Sequence, residues 1–400
     1  MAADRESLAE RAAALAACGA NVSEIDELLA YNRMAFDLSV LDRPIALPLA
    51  DEPFVATWDG YAEQARRDGA YATLQRHIPR LRFPIRAGIS DSPAYRAATL
   101  RGEPTDTMAE ASGLILSAPE QVNLSIHPTP AGRIPIIVAG SRDDFVALVQ
   151  ALSARNEPIA VPPSMGATMI AGFNNWERVA AHRRQWEGEA PTRTADDWAA
   201  EFARLVPRRA LYQDRFIVLQ QGSYSAVAPA DIGIEESRWR AQSLAIRREH
   251  ECTHYFTLRV FGAMHNLLLD ELLADYAGIV AANGAYRADW FLRFLGLEAE
   301  HDYREGGRLQ NYRGTPALSA GAFRILQQLA RRAAVGVEAF DQRHAAERAA
   351  PGGRARMLLT LAAHTIDCLA APWAQDSLDE VWRGIEITPI ASDDAGARNV

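Results

Sequence analysis

Cysteine is scarce: Cys18, Cys252 and Cys368 are the only three in 400 residues, and they lie far apart. That spacing makes neither a disulfide framework nor a CxxC metal knuckle. It fits a protein of a reducing compartment, and cytoplasm is the expected location. Long apolar runs are missing too. None reaches the roughly 18–20 residues a membrane helix needs, so no span and no membrane partner are expected. The start, Met1-Ala-Ala-Asp-Arg-Glu-Ser, carries early acids and no apolar stretch, which predicts no secretory signal. Positive charge is in deficit, with 42 Lys plus Arg against 51 Asp plus Glu and a formal net charge of -9. A net-acidic chain has no global attraction for nucleic acid, and none is expected as a partner. Internal repeats and low-complexity tracts are absent.

What is present is ordinary globular material. Hydrophobic residues make up 48% and charged residues 23%, enough to bury more than one core and to exclude disorder over most of the chain. Residues 1–40 show apolar side chains at helical spacing (Leu8, Ala12, Leu15, then Ile25, Leu28, Leu29), broken near Gly19. Prolines punctuate residues 41–105, leaving room for short helices around Tyr61–His77. Strand-like segments follow at Gly113–Ser117, Val122–Ile126, Ile134–Gly140, Phe216–Gln220 and Tyr224–Val227. Ser141 reads as the N-cap of a helix with Asp143 and Asp144 at its positive end. The stretch Pro163–Trp176, with its glycines and paired asparagines, suggests a tight strand-to-helix connection. It has neither GxGxxG nor GxxxxGK, so it is no phosphate loop. From Glu235 onward the pattern is helical: 236–262, 267–283, 286–296, 319–347 and 355–371. The tail from Ser392 reads as polar and frayed. The expected division is an N-terminal helical region (1–105), an α+β sheet lobe (106–235) and a helical lobe (236–400).

The chemistry is concentrated in Arg247-Arg-Glu-His-Glu-Cys-Thr-His-Tyr-Phe, inside a predicted helix. His250 and His254, four apart, project from one helical face, and two imidazoles so placed can bind one Zn²⁺. Glu251 follows the first histidine and can reach a metal-bound water. The histidine face continues through Ile246, Thr257 and Phe261 and should point inward, where a metal is an economical partner for two imidazoles. Gly262 offers a helix stop. The next helix, begun at Asn266, carries Glu271 and Asp275 on one face, and a helix hairpin would turn that face toward the histidines. One carboxylate would complete a three-ligand site, and the other would accept the free ring N–H of a ligating histidine.

The pairing of HExxH with a downstream ExxxD resembles the gluzincin zinc metallopeptidases, over His250–Asp275 and their neighbours. The resemblance implies a zincin-like α+β fold, with the metal between a mixed sheet lobe and a helical lobe. It implies Zn²⁺ as cofactor, with His250, His254 and Glu271 as ligands. Glu251 would be the catalytic base and proton donor, and Asp275 the partner of His250. The implied activity is hydrolysis of a peptide or small amide by a metal-activated water. A different metal-dependent enzyme acting on a small molecule, and an inactive binding protein on the same scaffold, stand as alternatives. Helix geometry keeps the third ligand open. At 1.5 Å per residue the first helix leaves His254 by about 12 Å before Gly262, and the second has returned only about 7–8 Å by Glu271, so Asp275 is an alternative ligand. Arg248, two before His250, is either a substrate contact or a departure from the clan's uncharged motif surroundings.

Donors for a developing oxyanion are sought downstream. Arg308, Tyr312 and Arg313 follow the Gly306-Gly307 pair, and His364 stands near Asp367. Tyr224 is placed by analogy on a strand edge along the cleft. A metzincin arrangement is excluded, because its third histidine would fall on Val260. His265 reads as a helix-end residue and Cys252 as a small core residue.

Overall fold

The computed structural model describes residues 7–190, 192–265, 267–299 and 302–389. The sequence expectations for residues 1–6, Asn266 and the tail from 392 lie outside them. The chain forms two compact units: Met1–Leu49 together with Ser223–Val400, and Ala50–Gly222 between them in sequence. It is an α+β chain, with a mixed sheet in the inserted unit followed by a mostly helical region.

In chain order, α1 (Leu8–Ala17) and α2 (Val22–Tyr31) each begin with a capping box, Ser7 with Glu10 and Asn21 with Glu24. A short strand, β1 (Ile45–Leu47), pairs in parallel with the last one, β6 (Ile387–Pro389). The inserted unit holds α3 (Val55–Asp68), α4 (Ala70–His77), α5 (Pro93–Arg101), β2 (Asn123–His127), β3 (Ile134–Val138) and α6 (Arg142–Leu152). After these come β4 (Ala167–Asn174), α7 (Trp176–Glu189), α8 (Ala195–Leu205) and β5 (Gln213–Leu219). Its sheet runs β2-β3-β5-β4, parallel between β3 and β5 and antiparallel elsewhere. The unbroken apolar run of β3 suits a strand covered on both faces, and all five of its residues are buried. Gly172, at φ +70, sits at the bulge where β4 loses register with β5. Asn175 caps α7 immediately after β4, giving the tight strand-to-helix connection.

The remaining helices are α9 (Glu236–Phe261), α10 (Leu267–Asn283), α11 (Ala288–Leu295), α12 (Ala320–Arg343), α13 (Ala345–Ala349), α14 (Gly353–Ala362), α15 (Ile366–Leu369) and α16 (Ala374–Gly384). Among the described residues, no helix is long and apolar enough to cross a membrane.

Several sequence expectations are corrected. Gly113–Ser117 has no strand partner among the described residues. Tyr224–Ala226 is a single tight turn, because Ser225 and Ala226 take positive φ, which ends any extended run. The helix expected over 355–371 breaks at Ala363–Thr365, where Thr365 is extended and His364 Nδ1 turns to the carbonyl of Thr360. The three-segment division does not coincide with the two units. Trp58, Tyr61 and Leu74 of α3 and α4 share a core with Ile137 and Phe216 of the sheet, whereas α1 and α2 go with the C-terminal helices. Such contacts between distant segments leave no mark on local periodicity.

Candidate metal centre

The centre is built by α9 and α10. Glu235 caps the start of α9, accepting from the Arg238 N–H, and Gly262 at φ +71 ends it. The helix after it, α10, is apolar nearly all round, with Leu268, Leu269, Leu272, Leu273, Ile279 and Val280 all buried. A helix of that composition belongs in a core, and it carries its acids inside with it. Asp270 is 1% exposed and Asp275 is fully buried. Contacts between the helices fix an antiparallel register: His254 and Thr257 against Asp270, His250 against Asp275, and Ile246 against Gly278.

Gly278 makes the close approach possible. A Cβ there would lie 2.7 Å from the Ile246 carbonyl oxygen. Gly278→Val is therefore expected to force the helices apart, at a cost of about 1–3 kcal/mol as overpacking usually does. The check is a denaturation midpoint together with metal uptake, and both should fall. An unchanged midpoint would mean that the helices need not approach so closely.

Three side chains converge between the helices. His250 Nε2 and His254 Nε2 are 3.1 Å apart. Oxygens of Glu271 lie 3.6 Å from the first and 3.7 Å from the second. All the candidate ligand atoms fall within 4.8 Å of one another. Ligands about 2.0–2.1 Å from a tetrahedral zinc stand roughly 3.3–3.4 Å apart, so the observed separations bracket the spacing a metal would need. The cluster can hold a divalent ion.

Each imidazole is backed by its own carboxylate. His250 Nδ1 is 3.0 Å from Asp275 Oδ1, and His254 Nδ1 is 3.1 Å from Asp270 Oδ2. With both Nδ1 protons held by carboxylates, both Nε2 lone pairs face the centre. Without an ion, one ring must carry a second proton to separate them. Burial opposes charge on His254. Its hydrogen bond to Asp270 and the negative charges of Asp270, Glu271 and Glu251 prevail, and its pKa is pushed up to about 10. The centre draws positive charge.

Around it lies a second set of contacts. The Tyr224 hydroxyl donates to Asp275 Oδ1 at 2.6 Å and lies 2.9 Å from His250 Nδ1. Arg308 forms a buried ion pair with Asp275 and donates to the hydroxyls of Tyr224 (2.9 Å) and Ser225 (2.8 Å). Burial raises the Asp275 pKa, but the Arg308 guanidinium and the His250 contact outweigh it and hold the carboxyl below its usual range. The Tyr312 hydroxyl donates to Glu271 Oε2 at 2.7 Å. Gly307 sets the loop bearing Arg308 and Tyr312 directly on Gly296, where a Cβ would lie 2.5 Å from the Leu295 carbonyl oxygen.

The other candidates are distributed as follows. Glu251 is half-buried, and among the described residues no hydrogen bond or ion pair engages its carboxylate. Tyr224 is buried on a turn, not exposed on a strand edge. His364 is engaged elsewhere, by the Thr360 carbonyl and the Ser377 hydroxyl, and Asp367 pairs with Arg11. Arg313 bonds the Leu318 carbonyl and lies over Phe323. Arg248 pairs with Glu249, His265 is exposed, and Cys252 is buried with its thiol pKa raised by that burial. All the side chains of the cluster belong to the helical unit, whereas the gluzincin resemblance puts the metal between two lobes. Asp270 was not legible as a site residue, although it is adjacent to Glu271 in sequence. Neighbours on a helix diverge by about 100°, and only the partner helix shows that both point inward.

A model of a family described as a family of unknown function (DUF7005) matches residues 13–373. No curated protein and no solved structure matches the chain.

Proposed function

The chain belongs to the DUF7005 family, whose description carries no activity, and we propose from its side chains that it is a zinc-dependent hydrolase of the gluzincin kind. One observation carries the reading: two imidazole nitrogens and the Glu271 carboxylate converge within 4.8 Å on adjoining helices. His250, His254 and Glu271 would hold the ion, and Asp275 would steady His250. A divalent cation in that position supplies a Lewis acid that polarises a carbonyl and lowers the pKa of a water beside it.

The remaining steps fall to the chain's own residues. Glu251, with no partner for its carboxylate among the described residues, takes the proton from the attacking water and returns it to the leaving nitrogen. Arg308 and Tyr312 stand beside Glu271, at 3.8 Å and 2.7 Å, and would steady the oxygen that gains charge. A peptide or amide bond is the first substrate class. A second reading, a metal-dependent enzyme acting on a small molecule, is favoured by the depth of the centre. The side chains of His250, His254 and Glu271 are only 11%, 12% and 18% exposed.

The test is elemental analysis of the purified protein beside its His250→Ala variant. A stoichiometric divalent metal, zinc foremost, is expected in the first and a loss of most of it in the second. Equal metal in both, or none in either, overturns the site. Peptide libraries assayed against small amides then separate the two substrate classes. Bound metal without hydrolysis of either would mark a binding protein.

A further inference from the structure

Asp270 differs from the other acid behind the ligands. Asp275 has a guanidinium of its own in Arg308. Asp270 has none: among the described residues its partners are His254 Nδ1 at 3.1 Å and the Thr257 hydroxyl at 3.0 Å. Its side chain is 2% exposed, so water contributes little. A buried carboxylate is costly unless something compensates it, and the group in place to do so is the His254 ring, together with whatever positive charge its Nε2 meets. Of the groups around it, only the His254 ring stands between Asp270 and the space that His250, His254 and Glu271 enclose.

From this arrangement we propose that Asp270 is a positioning residue whose negative charge, acting through the His254 ring, sets the affinity of the centre for a divalent cation. The inference rests on the metal-binding reading above and deepens it. The hydrogen bond alone orients the imidazole, and an asparagine oxygen could do that equally well. The charge does more. It enriches the electron density of the ring whose Nε2 meets the cation, and it attracts the cation across a low-dielectric interior. Thr257 holds the second oxygen of Asp270, which keeps the carboxylate aimed at the ring.

The experiment uses the full chain and Zn²⁺ alone, measured by competition with a chromophoric chelator, so no substrate is needed. Asp270→Asn keeps an acceptor for Nδ1 and removes the charge. It is expected to weaken Zn²⁺ binding about 10–100-fold, as the loss of such partners behind a ligand does. Thr257→Val removes a neutral donor and keeps the charge, so its affinity should stay within about threefold of the unaltered chain. A purely structural role would give the reverse ranking or equal losses. Thermal melts with chelator present check that each variant folds. Should Asp270→Asn not fold, Asp270→Ser removes the same charge and carries the same expectation. Zn²⁺ affinity unchanged in the neutral variants would overturn the role of the charge and leave the metal site standing. No Zn²⁺ uptake by the unaltered chain would overturn both.

Discussion

Glu251→Gln is expected to retain the bound metal and to lower turnover about 10²–10⁴-fold, the range that a general acid–base contributes. The amide is nearly isosteric with the acid but cannot accept the water proton. Structural side effects should be small. Glu251 is half-buried and its carboxylate has no partner among the described residues, so no internal contact is lost. Folding stability should change by no more than about 0.5 kcal/mol, as for other substitutions that remove no contact. Two measurements are needed on the same preparation: metal content, and hydrolysis of whichever peptide or amide the unaltered chain cleaves. Full activity would remove Glu251 from the mechanism. Metal loss in this variant would instead make Glu251 part of the ion's own environment.

The largest stability effect is expected at Arg308. Its guanidinium is 17% exposed and pairs with the fully buried carboxylate of Asp275. Arg308→Ala leaves that carboxylate with the Tyr224 hydroxyl and His250 Nδ1 as its hydrogen-bond partners. Removing one partner of a buried pair costs about 3–5 kcal/mol, because the other charge stays buried without compensation. The hydroxyls of Tyr224 and Ser225 lose a donor as well. Denaturant unfolding should be followed with chelator present, so that metal binding does not mask the change. Arg308→Lys should recover part of the loss. A single ammonium restores the charge but cannot reach Asp275 and both hydroxyls as the planar fork does. A change below about 1 kcal/mol in Arg308→Ala would be what an exposed pair gives and would mean that water screens Asp275 after all.

Much of the helical part was readable beforehand because its cues are local. Gly262 stops α9 where the sequence suggested, and the expected 267–283 helix matches α10 at both ends. Ser141 caps α6, its side chain accepting from the Asp144 N–H. Other features escaped. The segment at Gly113–Ser117 has strand-like composition, yet strand formation needs a neighbour to pair with. Tyr224 lies in a similar apolar stretch, yet its hydroxyl is bonded inside the helical unit. The gluzincin resemblance names Glu271 as the third ligand, and helix rise leaves Asp275 open as an alternative, because rise takes no account of side-chain length. Glu271 sits near the level of His254, and its longer side chain reaches toward both rings, whereas the shorter Asp275 reaches only His250 Nδ1.

By itself the sequence determined which residues could bear chemistry: two histidines one helical turn apart, an acid after the first, and acids on the following helix. Helical periodicity is a property of the local chain, so that much needs no partner. Tertiary structure alone decided the rest. It set Asp270 behind His254 and Glu271 between the two rings, brought Arg308, Tyr224 and Tyr312 in from distant turns, and buried Asp270 with no guanidinium beside it among the described residues. Those outcomes depend on how closely α9 and α10 approach at Gly278 and on which charges share the space between them. Distances between segments far apart in the chain are set by packing, and no local pattern encodes them.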